Sequence, residues 1–161
     1  MSDQEDIRNL ISRYSLAAND GDIETYQSLF ARDGELVESG VPFSRAMLPL
    51  LSGAYHKARS EQPQPYGGKH IQANTWIEIT GANEARAMTD IVVLRIRPET
   101  GWTIGNKGRY TDDFVREDGT WRFRRRSVTW DHELPADPNE QGFYARVKEL
   151  IDEAMSAKAD S

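Results

Sequence analysis

Hydrophobic spacing changes once along this 161-residue chain, near residue 70, and that change governs what the chain can fold into. Before it, apolar side chains recur every three or four residues, the period of a buried helix face; after it they fall in long runs divided by short turns. Ser2, with Glu5 three positions on, has the form of a capping box, and Ile7, Leu10, Ile11, Tyr14 and Ala18 then make one helical stripe. Asn19-Asp20-Gly21 breaks that helix, Asp22 is placed to cap a second, and Ile23, Tyr26, Leu29 and Phe30 give the second its buried face. Asp33-Gly34 ends this hairpin and Glu35 to Glu38 reads as a short extended piece. Ser44 is placed to cap a third helix that runs to about Lys57, with Pro49 near its start. Pro63, Pro65, Gly67 and Gly68 mark a loop.

Four strands follow, roughly His70 to Thr80, Ala85 to Arg97, Thr103 to Arg116 and Thr120 to Trp130. Gly81-Ala82-Asn83, Pro98 to Gly101 and Asp118-Gly119 are turns short enough for an antiparallel meander. Phe143, Val147, Leu150, Ile151 and Ala154 form the stripe of a C-terminal helix, and the Ala, Lys and Ser residues after it read as a frayed tail. Helices first and a meander afterwards specify an α+β fold: three N-terminal helices packed on a strongly curved, mixed or antiparallel sheet, with a C-terminal helix added. Such a sheet, closed by the helical hairpin, makes a cone-shaped α+β barrel whose interior is the natural small-molecule site. Residues 1–135 are expected to form the cone, and 136–161 to add the helix and tail of the same domain.

Composition removes several classes of function. The chain has no cysteine, which excludes disulfides, thiolate metal sites and a cysteine nucleophile and fits a reducing compartment. A formal charge of −6 is not the footprint of a nucleic-acid binder. The basic run Trp121 to Arg126 reads as a half-buried strand, with Trp121 and Phe123 inward and Arg122, Arg124 and Arg126 on a solvated face. No apolar run approaches the ~18 residues of a membrane span, and the acidic start is unlike a signal peptide, so a cytoplasmic protein is expected. The three histidines, at 56, 70 and 132, are too scattered for a local metal motif.

The stretch Lys69 to Ile79 carries the chemistry. Period-two reading puts Ile71, Ala73, Thr75, Ile77 and Ile79 on a core face, and His70, Gln72, Asn74, Trp76 and Glu78 on a mixed face suited to a pocket wall. Trp76 and Trp102 are the aromatics expected to hold a flat, apolar ligand. Gly105-Asn106-Lys107-Gly108 reads as a bulge or bend rather than a phosphate loop.

Four pieces of the sequence together resemble the SnoaL-like group of the nuclear-transport-factor-two-like superfamily. They are Tyr14 with Asn19 through Gly34; Lys69-His70 with Asn74; Gly108 through Phe114; and Asp118 through Phe123 with Arg126. The resemblance spans residues 7 to about 131 and implies the cone fold. Its dehydratase-like members have an aromatic residue on the first helix, an aspartate at that helix's end and a histidine heading the first long strand. Tyr14 and His70 match that pattern, whereas Asn19 stands where the aspartate is expected, and an amide can fix an imidazole tautomer but supplies no charge. Asp20, the next residue, and Asp112, which alternates with Gly108, Tyr110 and Phe114, are the alternative carboxylates.

The resemblance implies a cofactor-independent lyase or isomerase, dehydratase-like, acting on a hydrophobic, oxygenated, ring-containing small molecule, with no metal or organic cofactor. His70 is the expected base, Tyr14 the hydroxyl donor and Asp112 a second acid or base; Asn19, Asn74, Trp76 and Trp102 are expected to hold substrate. The rival is a non-catalytic ligand-binding or accessory protein, including a dioxygenase small-subunit role, with Asn19 as the trace of a lost aspartate. Two blander placements stand beside these: His56 complementing a helix dipole, and His132 at the surface or pocket rim. Relatives of this kind commonly pair through the outer sheet face, so a homodimer or higher homo-oligomer is expected, with Ile91, Val93 and outward arginines at the contact.

Overall fold

The computed structural model describes residues 2–62, 67–97, 101–131 and 138–159. His132, and parts of the loops around Pro63 and Pro98, lie outside the described residues. Among those described are four α-helices and a six-stranded mixed sheet: α1 (Asp3–Asp20), α2 (Ile23–Ser28), β1 (Phe30–Glu38), β2 (Val41–Ser44), α3 (Leu48–Ser60), β3 (Gly67–Gly81), β4 (Glu84–Arg97), β5 (Gly101–Glu117), β6 (Thr120–Trp130) and α4 (Pro138–Ala159). The sheet runs β2-β1-β6-β5-β4-β3, so the last four strands form the expected antiparallel meander and β1 joins β6 in parallel. The sheet is not closed on itself; this is the cone-shaped α+β architecture.

The helix signals act as their chemistry requires. Ser2 and Glu5 complete a reciprocal capping box, Gly21 ends α1 in the left-handed conformation (φ 73°), and the Asp22 carboxylate accepts from the Thr25 N–H at 3.0 Å. The second helix stops at Ser28, however; Leu29 is its C-cap and Phe30 opens the strand that follows. Asp33-Gly34 does not end anything: β1 runs through it with a break in register, because a Cβ at Gly34 would stand 2.6 Å from the Phe123 carbonyl oxygen and glycine lets the backbones pass. Ser44 makes no side-chain cap; a 3-10 turn over Arg45–Met47 leads into α3 instead, with Pro49 in its first turn. β2 has no counterpart in the sequence reading. α4 extends through Ala159 rather than fraying after Ala154, and Phe143, Val147 and Leu150 pack against Ala54 and Ala58 of α3.

Three bulges determine which side chains face inward. On β3 one extra residue lies between the pairs Ala73↔Asp90 and Trp76↔Met88, with Asn74 at φ 53°. The alternation therefore reverses parity there. His70 and Gln72 point inward before the bulge and Ile77 after it, while Ile71, 44% exposed, is on the outer face rather than the core face expected for it. On β6 Arg124 is the extra residue, so Arg126 shares the inner face with Trp121 and Phe123 and is fully buried, not solvated. On β5 Gly105 is the extra residue, which is the bulge its sequence indicated. β4 has no parity break from Ala85 to Arg95, which turns Ile91, Val93 and Arg95 inward; Ile91 and Val93 do not form the outer contact stripe expected for them.

Candidate functional site

A cavity of about 90 Å³ lies between the inner sheet face and the helices. Its base is aromatic. Phe123 sits 5.1 Å from Phe114 and 5.3 Å from Phe30, ring centre to ring centre, and Tyr14 stands on this stack at 5.8 Å. Each such pair contributes roughly 0.5–1.5 kcal/mol beyond area burial and holds the tyrosine in one orientation. The Tyr14 and Tyr26 hydroxyls are 2.9 Å apart, and both line the cavity. Burial raises the pKa of Tyr14, Tyr26 and Tyr110, so these phenols stay protonated and act as hydrogen-bond donors.

His70 heads β3 and also lines the cavity. The Asn19 side-chain oxygen, at the C-terminal end of α1, accepts from the His70 backbone N–H at 3.0 Å and lies 2.7 Å from its Nδ1. An amide oxygen only accepts, so Nδ1 carries the ring proton and Nε2 keeps the lone pair. Desolvation lowers the His70 pKa to about 4, and the cationic Arg95, Arg59 and Arg126 push it the same way. The imidazole is thus neutral and correctly tautomeric for a base, but weak.

Beneath this wall lies an ionic group that does not line the cavity. Arg126 has its guanidinium carbon 3.7 Å from the Tyr110 ring centre and 4.1 Å from that of Tyr14. Its Nε is 3.5 Å from Asp112 Oδ1, and its NH2 donates to Gln72, whose amide in turn donates to the Ile11 carbonyl at 3.1 Å and to Ser15. Asp112 and Arg126 are both fully buried, and neither Asp112 oxygen has a hydrogen-bond partner among the described residues. Burial therefore outweighs the arginine and raises the Asp112 pKa to about 7.

The structure brings together Tyr14, Asn19 and His70 and leaves the other expected residues elsewhere. Asp112 is under the cavity floor. Asn74 is exposed and donates to Asp90 at 3.0 Å. Trp76 is 47% exposed beneath the Arg86 guanidinium, and Trp102 is 59% exposed; both are on the outer face. Asp20 is exposed at the end of α1. His56 lines the cavity and packs against Gly21, its pKa lowered by burial and by Arg59. Among the described residues no group of three or more His, Asp or Glu is placed to hold a metal, and no helix is long and apolar enough to cross a membrane.

Sequence reasoning passed over Glu38, Arg95 and Tyr144, which also line the cavity. Glu38 accepts from Trp130 Nε1 at 2.9 Å, and burial raises its pKa. Arg95 had a legible signal, since it continues the unbroken inward series Ala87, Thr89, Ile91, Val93. Glu38 had none, because the turn after it hides which way β1 faces.

Comparison with known proteins agrees with this architecture. The model of the SnoaL-like domain matches residues 1–127. No curated protein matches the sequence. Among solved structures, a Mycobacterium tuberculosis protein of unknown function, determined as an aspartate-to-asparagine variant, superimposes with a TM-score of 0.78 at 22% identity, over 92% of this chain and 93% of that one. ActVI-ORFA from Streptomyces coelicolor gives 0.70 at 22% identity over 82% and 97%. A type 2 hexachlorocyclohexane dehydrochlorinase, LinA, gives 0.65 at 17% identity over 84% and 89%. At these identities the likeness is one of fold.

Proposed function

The chain belongs to the SnoaL-like domain family, and from that premise we propose that it is a cofactor-independent lyase or isomerase of dehydratase type, acting on a compact, oxygenated, ring-containing molecule. The observation that carries this is the His70 imidazole, held by Asn19 with Nε2 unprotonated, in the same cavity as the Tyr14–Tyr26 hydroxyl pair. Nε2 takes a proton from the carbon next to a carbonyl. In the tyrosine pair one hydroxyl donates to the other, and the accepting phenol keeps its proton for the developing enolate oxygen. Collapse of the enolate expels a β-hydroxyl as water; Glu38, made harder to ionise by burial, is the acid that supplies the proton. Asp112 acts at a distance, as the counter-ion of the arginine stacked under Tyr14 and Tyr110. A cavity of about 90 Å³ is below the ~300 Å³ of ordinary ligand sites, so the substrate is of about single-ring size.

The test is turnover of small cyclic β-hydroxy ketones, followed by enone absorbance, in wild type and in His70→Ala. Turnover that His70→Ala abolishes supports the reading; turnover that survives in a folded His70→Ala protein, or none with any compound, refutes it. Asn19 favours one other reading, a binding or accessory protein of the same fold, because an uncharged partner leaves His70 a weak base. Self-association completes the proposal. The outer face of the sheet carries exposed Ile71, Met88, Trp102 and Ile104, an apolar surface suited to a second copy.

A further inference from the structure

Two polar groups of the cavity wall keep hydrogen-bonding capacity that the protein does not take up. Tyr55, on α3, is held by its ring, which stands 6.1 Å from that of Phe143 and 6.4 Å from that of Tyr144, centre to centre. It lines the cavity, and its hydroxyl has no hydrogen-bond partner among the described residues, whereas the Tyr14 and Tyr26 hydroxyls have each other and that of Tyr144 has Asn106 and Arg95. Burial raises the Tyr55 pKa, so the phenol keeps its proton. Glu38 ends β1 and lines the same cavity. Trp130 Nε1 donates to its Oε1 at 2.9 Å and fixes the carboxyl, while Oε2 has no partner among the described residues. Of the charged groups, the Glu38 carboxyl bears most strongly on the Tyr55 phenol. Buried polar groups nearly always have partners, so a phenol and a carboxyl oxygen left unengaged in one cavity mark a place where the ligand supplies them.

We propose that Tyr55 and Glu38 form a subsite for a hydroxyl group of the ligand, and that in the elimination this is the departing β-hydroxyl, which makes Tyr55 a further catalytic residue. The role in elimination rests on the lyase reading; the hydroxyl subsite does not. A hydroxyl both donates and accepts, so it satisfies this pair in either state of the carboxyl: it accepts from Tyr55 throughout, accepts also from Glu38 when that is protonated, and donates to it when ionised. A ligand carboxylate would set a second negative charge against Glu38, and an ammonium has no lone pair to accept from Tyr55. In the reaction the bond between the β-carbon and oxygen breaks and its electron pair stays on oxygen. That oxygen takes the Glu38 proton and leaves as water, while Tyr55 donates a hydrogen bond to it as its charge grows and keeps its own proton. His70 has gained one proton and Glu38 has lost one, so the protons balance.

The experiment compares wild type with Tyr55→Phe, which keeps the packed ring and removes a hydroxyl that the fold does not bond. The probes are phenol and toluene, which have nearly the same shape, fit a single-ring cavity and cannot eliminate. Loss of one neutral hydrogen bond predicts that Tyr55→Phe binds phenol roughly 5-fold more weakly by calorimetry and binds toluene unchanged. Phenol that fails to bind wild type, phenol binding that ignores the substitution, or equal weakening of both probes overturns the subsite; the last is what a merely structural role would give. Turnover of 3-hydroxycyclohexanone is scored separately. Where it occurs, Tyr55→Phe should lower kcat at least ~10-fold, and an unchanged kcat overturns the catalytic role. If wild type shows no turnover while the phenol effect stands, the lyase reading and the catalytic role fall and the hydroxyl subsite remains; turnover without the phenol effect overturns the subsite and leaves the lyase reading in place.

Discussion

Replacing Asn19 by aspartate puts a negative charge where the structure has a neutral hydrogen-bond acceptor, and the size of the effect can be worked out. The Asn19 oxygen is 2.7 Å from His70 Nδ1, which places the centres of an introduced carboxylate and an imidazolium about 4 Å apart. At an effective dielectric constant of ~20 that pair is worth about 4 kcal/mol, or nearly three pKa units at ~1.4 kcal/mol each. His70 is half-buried, and solvent screening reduces this to two or three units. Its pKa, about 4 in the wild type, should therefore rise to roughly 6–7 in Asn19→Asp. The assay is NMR titration of the His70 ring, assigned by loss of its signals in His70→Ala. If His70 is the base, the acid limb of kcat/KM moves upward by the same amount, and the rate on its plateau rises as the base strengthens. A His70 titration within about half a unit of wild type would mean that the contact at Nδ1 does not control the imidazole, and the reasoning fails.

Four further outcomes are expected. His70 is neutral in the fold where the unfolded chain is protonated, so its contribution to stability is complete above the ordinary pKa of 6.5 and is lost as pH falls toward about 4; the stability advantage of wild type over His70→Gln in urea should shrink by roughly 2 kcal/mol from pH 8 to pH 5, and a constant difference would contradict this. Asp112 runs the other way: its raised pKa, about 7 against 3.8, gives stability that is lost as pH rises through 7, so the wild-type advantage over Asp112→Asn should be smaller at pH 8 than at pH 5. At the β3 bulge, Asn74→Val should cost about 1–2 kcal/mol more than Asn74→Gly, because a β-branched residue resists φ 53°; equal midpoints would show that the bulge does not depend on that angle. Glutamate at both Trp102 and Ile104 should reduce self-association in analytical ultracentrifugation without lowering the unfolding midpoint, and an unchanged distribution would remove the outer face as the contact.

Much of the fold was legible because it depends on local chemistry. The capping box at Ser2, the glycine stop at Gly21, the Asp22 cap and the meander of β3 to β6 each follow from residues close together in the chain. β2 and the extension of β1 were not, since a four-residue edge strand has no periodicity to read and Gly34 looks like a terminator until the Phe123 backbone is known to pass beside it. The candidate site was half legible. Tyr14, Asn19 and His70 were named: Tyr14 and His70 line one cavity, and Asn19 holds His70 through hydrogen bonds between positions 51 residues apart.

What defeated the rest was parity. Side chains alternate along a strand only until an extra residue intervenes, and each bulge exchanges the two faces for everything beyond it. A single alternation carried along β3 across Asn74 puts Ile71 in the core and Trp76 on the pocket wall; in the fold both are exposed. The same error sent Arg126 to solvent, because nothing in Arg124-Arg125-Arg126 marks the first of them as the extra residue. His70 is still placed at the pocket, because the same alternation puts it on the mixed face, and before the bulge that face does point inward. The bulges have a physical role in this. An unbroken alternation would put either an apolar wall or a polar one on the inner face throughout, whereas reversing it on β3 and β6 lets one sheet face change along its length. Trp121, Phe123 and Ile77 fill the core on one side of the reversals, and His70, Gln72 and Arg126 stand on the other. A strict period-two reading therefore holds for His70 and Gln72, which precede the reversal on β3, and fails for Trp76 and Arg126, which follow an extra residue.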